Sequence, residues 1–166
     1  MGKIFTAGML MAALLFPMQA RADFGVAPIV NTIQGATSIF NLNFGMPGVR
    51  QQIAVFVINS NDDAGFHVDF TFANKGYFKT GTRQFAMTSV ILSQYGGTLG
   101  AGFVPMTDVA LTIDPGTGIA TWIPSGTPTA STDNLVVAIY ASWADHSSGL
   151  AGFYLENITA SIASGP

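Results

Sequence analysis

Short runs of alternating apolar and polar residues, each ended by turn residues, constrain the fold of this chain more than any other feature. Successive side chains of a β-strand point to opposite faces, so this alternation is typical of strands covered on one side. No window has the sustained period of a capped amphipathic helix, and about eight such runs predict an all-β antiparallel sandwich or barrel. Residues 135–143 show the alternation most clearly, with an apolar face of Leu135, Val137, Ile139, Ala141 and Trp143.

The two runs that flank the turn at residues 59–65 differ in how they should be covered. Residues 52–59 are apolar on both faces, which predicts a strand covered on both sides. Residues 66–72 alternate, which predicts a hairpin partner with one aromatic face turned inward. That inward face consists of Phe66, Val68, Phe70 and Phe72.

The first 22 residues have the pattern of a secretory leader. Lys3 gives the positive start, a largely apolar stretch covers residues 7–16, and Pro17 ends it before the small residues that precede Asp23. The stretch is shorter than the roughly 18 residues that a membrane-spanning helix needs. We therefore expect cleavage before Asp23, membrane contact only during export, and one mature domain of 144 of the 166 residues.

The composition is unusually poor in charge. Charged residues make up 9% of the chain and hydrophobic residues 49%, whereas about a quarter of an average globular chain is charged. Either a partner covers some apolar surface, or a large two-layer core lies beneath an uncharged polar exterior. Loss of Lys3 and Arg21 with the leader changes the net charge from −3 to −5 and leaves no basic patch for nucleic acid. The chain has no cysteine, so packing or neighbours must stabilise it instead of disulfides.

One turn copies the first half of a calcium loop. Asn59, Asn61 and Asp63 are followed by Gly65, but the twelfth position, where calcium loops carry a bidentate Glu, is Phe70. Because Asn and Asp also form ordinary turns, the pattern favours a hairpin turn. Calcium binding there stays open.

No constellation of catalytic or metal-ligating residues stands out. The segment 145–148 contains Asp, His and Ser, but triad groups must converge in space and sequence neighbours rarely do, so a polar turn is favoured. His67 and His146 are not spaced as a zinc pair, and His67 lies on the polar face of its run. We expect no enzyme activity, no metal and no cofactor.

Aromatic side chains support a rival hypothesis, in which the chain is a secreted module that binds carbohydrate or a surface ligand. Trp122 and the loops at residues 96–105 and 124–133 would form its site. Aromatic residues are also the main filler of β cores, and Trp143 shares a face with aliphatic residues, which favours core for Trp143.

Residues 23–36 form an extended segment ahead of the first clear strand. Pro28 lacks an N–H, so this segment fits a sheet edge or a chain terminus better than a central strand. Its alternation is what the addition of a strand to an exposed sheet edge requires. One face consists of Phe24, Val26, Pro28 and Val30.

The C-terminal run, residues 152–162, resembles the end of chaperone-usher pilins and of the related spore coat protein U domains. It begins with Gly152 and carries an alternating apolar face, made of Tyr154, Ile158, Ala160 and Ile162. The resemblance implies an incomplete immunoglobulin-like β-sandwich of about seven to nine strands over residues 37–166. It also implies donor-strand complementation, with the apolar face of residues 23–36 placed in a neighbouring subunit's groove.

The chain departs from that family in two ways. Many members carry a disulfide near the start of the domain, and four residues follow the last apolar position here, where pilins tend to stop. With these departures, the leading hypothesis is a structural subunit of an extracellular filament, fimbria or coat. Its partners would be other copies of itself or a related subunit, together with an export chaperone. Its location would be secreted or on the cell surface, through the periplasm if the host is Gram-negative.

Overall fold

The computed structural model describes residues 30–35, 47–144 and 155–165, and within them it is an antiparallel all-β protein. This confirms the predicted fold class; none of the described residues lies in a helix. No described segment could therefore cross a membrane as a helix. Ten strands are described: β1 Asn31–Gly35, β2 Gly48–Ser60, β3 Phe66–Phe72, β4 Tyr77–Thr80, β5 Arg83–Ala86, β6 Ser89–Thr98, β7 Val109–Ala110, β8 Ile119–Trp122, β9 Thr132–Trp143 and β10 Ile158–Ser164.

Two sheets face each other, and a hairpin lies beside them. The larger sheet has the order β1-β2-β9-β6-β7, the smaller one has the order β10-β3-β8, and β4 pairs with β5. Every pairing is antiparallel. The count exceeds the expected seven to nine because the short run at residues 77–86, separated by a tight turn, forms two strands of its own.

The main core lies between the two sheets. The alternation of residues 66–72 is confirmed, because the face of β3 that carries the three phenylalanines is buried and the other face is half-buried. The predicted inner face of β9 is also buried along its whole length. Aromatic rings fill the space between the sheets, as in the tilted pair of Phe56 and Phe70, whose centroids are 5.3 Å apart.

A second, smaller cluster closes one end of the sandwich. Phe78 and Phe85 of the β4–β5 hairpin pack against Trp143, which confirms Trp143 as a core residue. The Trp143 ring lies directly over Gly48, where a Cβ atom would overlap the indole. The first residue of β2 is therefore a glycine because a tryptophan occupies the space above it.

Residues 52–59 in β2, predicted to be covered on both faces, are fully covered on only one face. In β2, Phe56 and Ile58 are buried in the core, whereas Val55 and Val57 on the outer face of the sheet are half-buried. Cross-strand neighbours shield the outer side chains partly, since side chains on one face of adjacent strands contact each other.

Candidate functional site

Two edge strands, β1 and β10, lie beside each other on one side of the sandwich, and we call this junction the seam. β1 is the outermost strand of the larger sheet and β10 the outermost strand of the smaller one. Each pairs with one strand only among the described residues, β1 with β2 and β10 with β3. Edge strands carry backbone N–H and C=O groups that a further strand could bind.

The inner face of β10 reaches the core without being sealed into it. Ile158, Ala160 and Ile162 pack against the main cluster, as the sequence predicts, yet all three are only half-buried. The residues between them, Thr159 and Ser161, are exposed. Apolar side chains that face a core and still contact water identify an incompletely covered part of a sandwich.

The residues of β10 alternate between those that bond to β3 and those that do not, and this alternation determines which backbone groups remain available to another strand. Ala73 N donates to Asn157 O at 3.0 Å, and Gly165 N donates to Gly65 O at 2.9 Å. Because the residues of an antiparallel pair bond to the partner at every second position, the odd-numbered residues of β10 bond to β3. Ile158, Ala160 and Ile162 therefore direct their N–H and C=O groups away from β3, towards the open edge.

The same reasoning applies to β1 across the seam. Asn61 N donates to Val30 O at 3.3 Å, which makes Thr32 and Gln34 the residues that bond to β2. Ile33 then points its backbone groups to the open edge, and its half-buried side chain packs against the core. Both strands of the seam thus offer backbone groups from their inward-facing residues.

The described part of residues 23–36 lies in the chain's own sheet. Residues 31–35 form β1, and Val30, 48% exposed, donates its N–H to Asn61 Oδ1 at 2.6 Å. Val30 is thus already bound to its own chain. Phe24, Val26, Pro28 and Tyr154 lie outside the described residues, so their assignment to an assembly surface stays a prediction.

A polar cluster closes one end of the seam. Asn31 Nδ2 donates to Ser164 Oγ at 3.1 Å and to Asp62 Oδ2 at 3.4 Å, and Asn31 Oδ1 accepts from Ser60 Oγ at 2.6 Å. Ser60 and Asp62 are buried, and Asp62 Oδ1 also accepts from Ala64 N at 3.0 Å. One asparagine side chain therefore joins β1 to β10 and to the turn after β2.

Trp122, the main residue of the site suggested for carbohydrate, is buried. Trp122 is 5% exposed and packs edge-on against Phe66, so its face is core and unavailable to a sugar ring. The loops at residues 96–105 and 124–133 do meet, through hydrogen bonds such as Val104 N to Ser125 O at 2.7 Å. Beside Trp122 they leave a cavity of about 210 Å³ with mostly apolar walls. Ligand pockets are usually larger than about 300 Å³, and sugars need several polar partners.

The turn that resembles a calcium loop uses its oxygens internally. Asn59 Oδ1 accepts from Asn134 N at 2.5 Å, and Asn61 Oδ1 accepts from Val30 N. No group of three or more metal-ligating side chains occurs in the parts of the chain that the structure describes. His67 was predicted to be solvated; its ring is half-buried, with Nδ1 2.7 Å from Gly165 O.

An ion pair crosses the outer face of the larger sheet, and the sequence did not point to it. Arg50, which has a φ of 50°, extends over the Tyr140 ring at 4.8 Å and forms a two-pronged ion pair with Asp108. The hydrogen bond from Arg50 lowers the pKa of Asp108 to about 2. The pair ties the start of β2 to the segment before β7, and its charges neutralise each other.

Glu156 lies where β10 begins and is half-buried. Its Oε1 accepts from Asn74 N at 2.9 Å and from Asn157 N at 3.0 Å, while Oε2 is buried without a partner among the described residues. Burial raises the pKa of this carboxyl despite those bonds. The contact fixes the start of β10 against the turn after β3.

Comparison with protein-family models, with curated proteins and with solved structures gave no match, so the seam is interpreted from its own geometry.

Proposed function

We propose that the protein is a structural subunit of an extracellular filament, fimbria or coat that assembles by β-strand complementation. In this proposal the seam of one subunit accepts the N-terminal segment of another, and no catalysis is involved. The observation that carries the proposal is the outward backbone of Ile158, Ala160 and Ile162, combined with their half-buried inward side chains.

The open backbone of the acceptor edge supports strand addition. Main-chain hydrogen bonds supply affinity in this mode, and depressions for alternate side chains supply specificity. β10 offers an open edge seven residues long, and β1 offers a second edge across the seam. A strand placed between them would cover Ile33 and the half-buried face of β10 together.

The donor would be the segment before β1. With cleavage before Asp23, residues 23–29 precede Val30, the first residue that the structure describes, and their alternation predicts Phe24, Val26 and Pro28 on one face. Seven extended residues span about 23 Å, which exceeds the length of most strands in globular proteins. The low charge of the chain fits a protein whose apolar edge is covered by its neighbours.

Deletion of the donor tests the proposal. We expect the chain 23–166 to form polymers and the chain 30–166, exported behind the same leader, to remain monomeric. The shorter chain keeps all of β1, so the deletion removes the donor without opening the sandwich. Size exclusion and electron microscopy measure assembly, and circular dichroism checks that both chains fold.

A point variant provides the matched control. Val26→Asp places a charge on the predicted apolar face and should abolish polymers, whereas Ala27→Asp on the opposite face should preserve them. Polymers that form equally well from the chain 30–166, or a stable monomer of 23–166 at high concentration, would defeat the proposal.

A further inference from the structure

We infer that Asn31 and Ser164 form a latch that holds the seam closed and sets the rate at which a neighbouring subunit can enter it. The consequence for assembly rests on the proposed function, whereas the latch itself rests on the hydrogen bonds between the two strands. Asn31 Nδ2 and Ser164 Oγ, 3.1 Å apart, belong to the two strands that an incoming strand must separate.

The Asn31 side of the latch is anchored in buried polar groups, Ser60 and Asp62. Asn31 uses its amide oxygen and its amide nitrogen at once, towards Ser60 and towards Asp62. Ser60 Oγ also accepts from Asp62 N at 3.2 Å, which fixes the two partners of Asn31 relative to each other. Buried polar groups are costly to leave without a partner, so the cluster favours Asn31 in its present position.

The rest of β1 holds the strand weakly by comparison. Of its five residues only Asn31 and Ile33 are half-buried, and the other three are exposed. Ile33 is the apolar anchor, and the backbone bonds of Thr32 and Gln34 complete the attachment. The hydrogen bond from Asn31 to Ser164 adds to these contacts and links β1 to the smaller sheet.

The latch also explains why a closed monomer and an assembled subunit can both exist. In the closed state Asn31 reaches Ser164 directly, and a strand inserted along β10 would have to displace that contact. The Asp62 cluster is separate from β10, because Ser60 is the last residue of β2 and Asp62 and Ala64 belong to the turn after it. Without the Ser164 contact, β1 is held only by its pairing with β2, by Ile33 and by the Asp62 cluster, so β1 should detach from β2 more often.

Two variants of the full chain, expressed with its own leader, test the latch. Ser164→Ala removes the bond across the seam and leaves the Asp62 cluster intact, and Asn31→Ala removes both. A hydrogen bond of ordinary strength corresponds to roughly a five-fold change in an equilibrium constant. We expect amide exchange at Thr32 and Gln34 to be about five times faster in dilute monomer, and assembly to be faster by a similar factor.

Ser161→Ala is the matched control, because Ser161 lies on the exposed face of the same strand. It should change neither measurement. Unchanged exchange in Ser164→Ala would overturn the latch. Because Ser164 is exposed, its replacement should not impair folding, so this variant decides the test even if Asn31→Ala fails to fold. Faster exchange in a protein that never assembles would leave the latch standing and reject strand complementation.

Discussion

Phe70→Ala should lower the free energy of unfolding by about 3–5 kcal/mol, the range measured for Phe to Ala substitutions in protein cores. Phe70 is fully buried at the centre of β3, the middle strand of the smaller sheet. Its cross-strand partners are Ala160 in β10 and Ala120 in β8. Since both neighbours are alanines, neither can extend into the space that the ring would leave, and the cavity should persist.

Chemical denaturation of the monomer, followed by tryptophan fluorescence, measures this effect. The control is Thr71→Ala, one residue along on the outer face of the same strand, which should cost less than about 1 kcal/mol. Equal losses for the two variants would show that the space between the sheets is not packed as described. Because domains of this size are stable by only about 5–15 kcal/mol, the Phe70 variant should be close to unfolded at elevated temperature.

Gly97→Ala should destabilise the protein by about 3 kcal/mol or more, an unusually large loss for a single methyl group. Gly97 lies at an irregularity in the pairing of β6 with β9, with a φ of 69°. A Cβ atom there would overlap the carbonyl oxygen of Asn134 and come within 2.8 Å of Leu135 Cα. The obstacle is backbone of a central strand, so it cannot rotate aside as a side chain would.

Gly81→Ala separates steric overlap from backbone strain. Gly81 has a similar φ of 57°, in the turn between β4 and β5, but a Cβ atom there would have nothing within 4 Å. It should therefore cost only the strain of a left-handed residue, about 1–2 kcal/mol. Thermal unfolding of the two variants makes the comparison, and a Gly97 variant as stable as the Gly81 variant would contradict the described register of β6 and β9.

The strands were predictable because their pattern is local. The alternation in residues 66–72 and 135–143 correctly identified which side chains are buried, since the two-residue period depends only on the strand itself. The length of a strand was harder to predict. Residues 109–113 alternate like a strand, yet β7 contains two residues, because pairing partners determine where a ladder ends.

Features that depend on distant parts of the chain were not predictable in the same way. The loops at residues 96–105 and 124–133 were assigned to one site and do meet, but the hydrogen bonds between them depend on the folded sheet that brings them together. The ion pair of Arg50 and Asp108 joins residues 58 positions apart. The local sequence around Arg50 or Asp108 does not predict that the two residues pair.

The candidate site contains one feature that the local sequence predicts and others that depend on the folded structure. The apolar face of β10 was visible in the sequence, and the structure confirms that Ile158, Ala160 and Ile162 share a face. Which backbone groups of β10 remain open was not visible, because it depends on the register with β3. The role of Asn31 was hidden for a similar reason, since Ser164 and Asp62 approach it only after folding.

The absence of cysteine allows the central claim to be tested by disulfide trapping between subunits. One subunit would carry Val26→Cys and another Ala160→Cys, so that a disulfide linking the two positions must join different chains. Residues paired across neighbouring strands lie within the Cα separations of about 4.4–6.8 Å that disulfides need. Thr121→Cys, on the exposed face of β8, replaces Ala160→Cys as the control.

Strand complementation at the seam predicts that oxidation of the mixed subunits gives a covalent heterodimer linked between positions 26 and 160, while the Thr121 variant gives none. Equal cross-linking of position 26 to positions 160 and 121, or no cross-link to position 160 in assembled protein, would contradict it.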